Sequence, residues 1–193
     1  MLGLETVKAL VLWVHIFSPY HSQCLSDFSI QNLSAHSLSA GMMAGDIVRG
    51  EDAGQRMADD ALAAGLLHDV GKLVLAVNLG EEYRAVRNRA RQKPQPVWQA
   101  EQEHFGATHA EIGAYLLGLW GMPFPILEAV AFHHQPAASG GRHFSALTAI
   151  HVANVLERSA RQNEDFPAQI DYAHIAALGL CERLAVWQKM IRH

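Results

Sequence analysis

The sequence predicts an all-α protein, a single bundle of helices spanning residues 1–193. Three observations carry that reading. Apolar residues recur at spacings of three and four, and no run alternates over strand length between hairpin turns. Helix start and stop signals punctuate the chain at short intervals. No internal repeat, low-complexity tract, Gly-rich phosphate loop or nucleophile elbow breaks the pattern. Half of the 193 residues are apolar and the formal charge is −4, enough chain for one substantial core.

Leu4 to Phe17 reads as an apolar helix ending before Pro19. It carries Glu5, Lys8 and His15, is too short to cross a membrane, and lacks the basic start and small-residue cleavage site of a signal peptide. A chain that opens on such a helix is expected to continue something upstream of Met1. After a polar turn at Ser18 to Ser26, a helix is expected from about Phe28 to Arg49. Leu33, Leu38, Met42 and Val48 are its apolar positions, and Ala35, Ala40, Gly41, Ala44 and Gly45 allow close packing. His36 lies in its middle, and taken alone is an ordinary interior histidine.

Gly50 to Gly54 forms a turn, and the next helix is expected to run through Ala64–Leu75 to a stop at Asn78-Leu79-Gly80. Glu81 to Gln92 forms another, whose basic run Arg84, Arg87, Arg89, Arg91 and Lys93 is a solvated face. Pro94 and Pro96 break it. Val97 to Phe105 is a short helix stopped by Gly106. Thr108 and Glu111 match a capping box, which places His109 in a first helical turn, expected to be exposed. That helix runs to Gly121, and Pro123 begins another that ends in His133-His134-Gln135-Pro136. A loop at Ala137 to Gly141 precedes helices at Phe144 to Arg161 and Asp171 to Gln188, the latter broken near Gly179. Trp98 and Trp120 are expected in the core, and His104, His143, His151 and His174 as ordinary surface or core residues.

Composition narrows the function classes. A mildly acidic chain without a basic block offers no footprint for nucleic acid, and no segment suits a membrane. Cys24 and Cys181 alone exclude a disulfide framework or a cysteine zinc site and make a reducing cytoplasm the default. Histidine is the unusual count, at twelve.

The chemistry concentrates in Ala64–Leu75, where His68, Asp69 and Lys72 interrupt an apolar run. Buried ionisable groups need compensation. On one helix, Lys72 lies four positions from His68 and three from Asp69, so all three lean towards one cleft. Gly65 and Gly71 are poor helix formers there and signal close approach of another backbone or a ligand. Two readings stand: a structural Asp69–Lys72 ion pair beside a hydrogen-bonded histidine, or the floor of a site. His36, His68-Asp69, His109 and His133-His134 come from four separate helices or helix ends. Imidazoles with a shareable carboxylate suit one or two divalent ions (Fe, Mn, Zn, Ni or Mg). A metal-bound hydroxide with Lys72 on a phosphate would suit phosphoester hydrolysis.

The order His36, HDVGK at 68–72, His109, His133-His134 resembles that of the HD superfamily of metal-dependent phosphohydrolases. The segments AGLLHDVGKLVL, AEQEHFGATHAEIGAYLLGLWGMPFPILEAVAFHHQP and IHVANVLE more closely resemble the HDOD family of HD-related output domains in bacterial signalling proteins, over roughly residues 2–185. The resemblance implies an HD-like helical bundle, a metal set of His36, His68, Asp69, His109, His133 and His134, and a phosphate contact at Lys72. It also implies a regulatory protein partner or a fused receiver domain. Three departures accompany it. Asn154 stands where hydrolytic relatives have a late aspartate, Asn32 stands where related phosphodiesterases can have a glutamate, and HHQPAASGG lacks their glycine-tyrosine-proline signature. The helices that usually precede the first segment in this family are expected to be missing here, and an apolar face of Leu4–Phe17 is expected to meet a missing lobe or a second copy of the chain. The expected function is a signal-transduction output module acting through protein contacts. The alternatives are a metal-dependent phosphohydrolase or phosphodiesterase acting on a nucleotide, and a structural domain without a ligand.

Overall fold

The computed structural model describes residues 3–20, 28–93, 95–161 and 169–190. The described residues are mostly helical, and no strand occurs among them. No helix among them is long and apolar enough to cross a membrane. The polar turn expected at 18–26 and the break at Pro94 fall mainly on residues outside those described.

α1 (Leu4–Phe17) leads through a short 3-10 turn (Ser18–Tyr20) towards α2 (Ile30–Gly50), and α3 (Gln55–Leu67) folds back against both. The α2–α3 pairing depends on small residues. Ala40, Gly41 and Ala44 of α2 face Ala61, Ala64 and Gly65 of α3, all buried. A Cβ on Gly65 would overlap Gly41 Cα and stand 2.6 Å from Gly41 N, and one on Gly41 would lie 2.9 Å from the Leu62 carbonyl. Neither glycine tolerates a side chain at this crossing. The close approach brings the C-terminal end of α3 level with His36 on α2.

The chain then turns into α4 (Val70–Asn78), and α5 (Gly80–Gln92) and α6 (Val97–Phe105) form an outer pair around Tyr83, Val86 and Ala100. α6 ends at Gly106 in the left-handed conformation, φ 70°, as a glycine stop requires. α7 (His109–Leu119) starts from the expected capping box, both halves of which are formed: Glu111 N–H donates to Thr108 Oγ1 and Thr108 N–H to Glu111 Oε2. α8 (Phe124–Phe132) returns antiparallel to α7 and stops at the histidine pair.

α9 (Ala146–Arg161) packs against α2, α3 and α8 and completes the core, with Leu147, Ile150, Val152 and Ala153 buried. Each fully buried Leu or Ile there contributes about 1.5–3 kcal/mol. α10 (Tyr172–Ala177) and α11 (Cys181–Met190) close the chain across Gly179 at φ 71°, and Trp187 of α11 is buried with its Nε1–H donating to Glu51 Oε1 at 2.8 Å.

Two expectations change. The stretch expected as one helix through Leu75 is two, because the chain leaves α3 at His68 and restarts at Val70, with Asp69 at φ −102°, ψ 9° between them. This bend sends α4 towards α7, where a Cβ on Gly71 would overlap the His109 carbonyl. The tryptophans also lie elsewhere than expected. Trp120 at the end of α7 is 44% exposed, and Trp98 is half-buried, stacked on His134 at 5.9 Å between ring centroids.

Candidate metal centre

Asp69 lies at the middle of the bundle, wholly buried at the bend between α3 and α4. Its Oδ2 accepts from Lys72 Nζ at 2.7 Å and from Arg158 Nη2 at 3.3 Å. The same oxygen lies 3.7 Å from His36 Nε2 and 3.5 Å from His68 Nε2. Its Oδ1 points the other way, 3.2 Å from His109 Nε2 and 3.8 Å from His133 Nε2. One carboxylate thus stands between two groups of imidazoles, His36 and His68 on one side and His109, His133 and His134 on the other. In each group the candidate donor atoms lie within 4.8 Å of one another.

The rings are fixed from behind. His68 Nδ1–H donates to the Gly65 carbonyl and His133 Nδ1–H to the Val130 carbonyl, both at 2.7 Å. His109 Nδ1 meets Glu101 Oε2 at 2.6 Å, and the His109 backbone N–H donates to the same oxygen at 2.8 Å. His36 Nδ1 pairs with Glu157. A carbonyl only accepts, so Nδ1 carries the proton in His68 and His133 and their Nε2 lone pairs face inward. Imidazoles tied through one nitrogen to a carbonyl or carboxylate, with the other aimed at a common centre, have the outer support typical of metal ligands.

Several inward contacts set acceptor against acceptor. His36 Nε2 faces His68 Nε2 at 3.2 Å and Asn154 Oδ1 at 3.1 Å, while that oxygen already accepts from Arg158 Nε at 2.8 Å. His134 Nε2 and His109 Nε2 lie 3.0 Å apart, by contrast, and form a hydrogen bond when either nitrogen carries the proton. His133 Nε2 is buried with no hydrogen-bond partner, and Asp69 Oδ1 makes none of good geometry. Orphaned buried acceptors aimed at one point are costly unless a cation or a donor such as water lies among them.

Electrostatics fit the same arrangement. Burial pushes His68 down to about 3. Burial and neighbouring imidazoles hold His133 and His134 well below the usual histidine value. All three are neutral near pH 7, the form in which an imidazole can act as a ligand. Burial works against the charge on Asp69, yet His68, Lys72 and His109 hold its carboxyl well below the usual range. Burial likewise opposes ionisation of Glu101 and protonation of His109, but each stabilises the charge of the other, lowering Glu101 and raising His109.

The HDOD domain family model matches residues 1–136. This chain belongs to the HDOD family. Its fold is similar to that of an HDOD domain protein of unknown function from Geobacter sulfurreducens, with a TM-score of 0.76 and 21% identity over 98% of this chain and 66% of that one. A Shewanella amazonensis protein provisionally called a phosphohydrolase gives 0.70 and 17%, over 98% of this chain and 71% of that one. The response regulator MmoQ from Methylococcus capsulatus gives 0.54 and 24%, over 79% and 58%. An uncharacterised protein of Treponema pallidum is 29% identical over 110 residues, a match that takes in 54% of this chain and only 20% of that curated relative.

In this HDOD domain four of the other sequence-singled ligand candidates, His36, His68, His109 and His133, lie against Asp69, and His134 joins them through His109 and His133. His109 is not exposed as expected but 1% exposed, because α4 and Glu101 cover the first turn of α7. Lys72 lies on Asp69, as the ion-pair reading has it. Three contributors went unread in the sequence. Glu157 and Arg158 follow Asn154 at helical spacings of three and four, and that spacing was the available signal. Glu101 falls on the same helical face as Val97 and Phe105, a carboxylate on an otherwise apolar stripe, and both its oxygens are used, Oε1 accepting from Tyr83 Oη at 3.0 Å.

Proposed function

We propose that this HDOD chain is a signal-transduction output module built around a divalent-metal centre and acting through protein contacts. The observation that carries the reading is the set of inward Nε2 atoms, fixed from behind, around the shared carboxylate of Asp69. His109, His133 and His134 with Asp69 Oδ1 would hold one ion, and His36, His68 and Asp69 Oδ2 with Asn154 Oδ1 would hold a second more weakly. Lys72 and Arg158 already neutralise Oδ2 on that second side, and Asn154 supplies no charge. A three-imidazole, one-carboxylate set suits zinc, iron, manganese or nickel.

Closure of the site favours regulation over turnover. Lys72 and Arg158, with side chains 12% and 15% exposed, lie over a carboxylate that is fully buried. The likeness to a response regulator supports the same direction. The partner is read as a regulatory protein or a fused receiver domain, with homodimerisation a second contact mode. Metal analysis of untagged protein beside His68→Ala and Asp69→Ala tests the centre, and stoichiometric metal lost in both variants is expected. Absence of metal after loading with zinc, manganese or iron would refute it.

A phosphohydrolase reading is second, favoured by Asp69 standing between two ligand groups with an ammonium at its edge. An ion bound there would polarise a phosphate and lower the pKa of a water, while Lys72 would bind the ester's charge. Turnover of bis-p-nitrophenyl phosphate or a cyclic dinucleotide by metal-loaded protein, abolished in Asp69→Ala, would replace the output reading with this one.

A further inference from the structure

α9 carries another buried histidine, one turn before Asn154, and both of its ring nitrogens are used. His151 Nδ1 meets the His133 carbonyl at 2.8 Å, and Asp171 N–H donates to His151 Nε2 at 2.9 Å. A carbonyl only accepts and a backbone N–H only donates, so Nδ1 carries the proton and Nε2 the lone pair. The ring is a bridge with a fixed direction.

Each end of the bridge is consequential. The His133 carbonyl belongs to the peptide unit that joins His133 to His134, the two candidate ligands at the end of α8. Carbonyls of a last helical turn lack partners within the helix, and here a side chain from a facing helix holds one. A rotation of that peptide plane would move both imidazoles together. At the other end, Asp171 has φ −74° and ψ 86°, and Tyr172 N–H donates to the Ile170 carbonyl at 3.0 Å, an inverse γ-turn. Its Oδ1 accepts from His174 N–H at 2.9 Å, and His174 Nε2 contacts Thr148 Oγ1 of α9 at 3.1 Å. This turn opens α10, and α10 packs on α11.

We infer that His151 is a positioning residue that ties the docking of α10 and α11 to the setting of the His133–His134 peptide, so that displacing those helices weakens metal binding. The inference rests on the metal-centre reading and deepens it by naming the C-terminal helix pair as the element through which the centre is regulated. By reciprocity, metal strengthens the docking of that pair.

The test uses Co²⁺ on the full chain, with affinity measured against a chromophoric chelator and ligand geometry read from the visible d–d spectrum. His151→Ala is expected to lower affinity by about 10–100-fold, the usual effect of losing an outer support, and to shift the spectrum. His151→Gln, whose amide donates and accepts at once, is expected to recover most of both. Asp171→Pro removes both the N–H, at a φ that proline adopts, and the side-chain cap, whereas Asp171→Ala removes the cap alone. Proline is expected to weaken Co²⁺ binding several-fold more than alanine, a comparison that stands even if His151→Ala does not fold. A wild-type protein that binds no Co²⁺ would overturn the metal-centre reading. Wild-type binding that His151→Ala and Asp171→Pro leave unchanged would overturn this inference alone, as would a glutamine variant no better than alanine.

Discussion

Replacing Gly71 with alanine puts one methyl group where α4 meets α7. A Cβ there would overlap the His109 carbonyl oxygen and stand 2.8 Å from His109 C and 3.0 Å from Gly113 N, against 3.4–4 Å for ordinary contact. All three atoms are backbone, so no rotamer change relieves them, and the helices must part, furthest to clear the carbonyl oxygen. Overpacking of this kind costs about 1–3 kcal/mol, and the rigid surroundings point to the upper end. Relief of glycine's helix penalty returns about 0.5 kcal/mol. The net loss is about 2.5 kcal/mol, which at a urea m-value of about 2 kcal/mol/M lowers the midpoint by about 1 M. The same displacement draws His109 away from Asp69 and is expected to weaken metal binding about tenfold or more. Gly118→Ala is the control, since its Cβ would meet only Leu127 Cδ1 at 3.7 Å, and a gain of about 0.5–1 kcal/mol is expected. Urea titration and chelator competition on both variants decide the matter. A Gly71→Ala protein with wild-type midpoint and affinity would refute the claim that this contact sets the position of His109.

Glu101→Gln removes the charge that holds both His109 N–H groups, and a 10–100-fold loss of metal affinity by chelator competition is expected. Asn154→Asp puts a carboxylate beside His36 Nε2, where Oδ1 now lies 3.1 Å away, and metal analysis is expected to find a second equivalent. An unchanged stoichiometry would count against a second ligand group there. Metal-free protein is expected to lose stability as pH falls below about 6.5. His68, His133, His134, His151 and His174 have lowered pKa values in the fold, so the unfolded chain takes up protons first and is favoured. His109, raised by Glu101, gains stability on protonation, but it is one group against five. The urea midpoint at pH 5.5 is expected below that at pH 7.5, and an equal or higher value would contradict these shifts.

What the sequence disclosed was mostly local. The capping box at Thr108 and Glu111, the stop at Gly106 and the histidine pair after α8 are short-range patterns, and each holds in the structure. Gly65 and Gly71 declared close approaches through poor helix propensity, and both meet backbone. The bend at His68-Asp69 was not legible, because an apolar run with helical spacing continues through it and only the pull of α4 towards α7 breaks the axis. The burial of His109 was misread for the same reason: a first turn is exposed unless another element covers it, and Glu101 does so from a different helix. Tertiary partners such as Glu157 on His36 and Arg158 on Asp69 carry no mark beyond helical spacing. The six ligand candidates are linked in the sequence by a family resemblance as much as by their chemistry.

The face of α9 that bears His151, Asn154, Glu157 and Arg158 has a consequence in time. His36 is separated from Glu157 by 121 positions and Asp69 from Arg158 by 89, whereas all six ligand candidates precede residue 135. At about 5–20 residues per second, the 24 residues from 134 to 158 take roughly 1–5 s to synthesise. Through that interval a growing chain lacks the helix that clamps its imidazoles. On the proposed metal-centre reading, an ion met before α9 packs would encounter a flexible string of donors, whose preference would follow the general order of divalent affinities. On that reading a cage able to discriminate by shape would exist only after α9 has packed, which makes selectivity by shape a late event in folding.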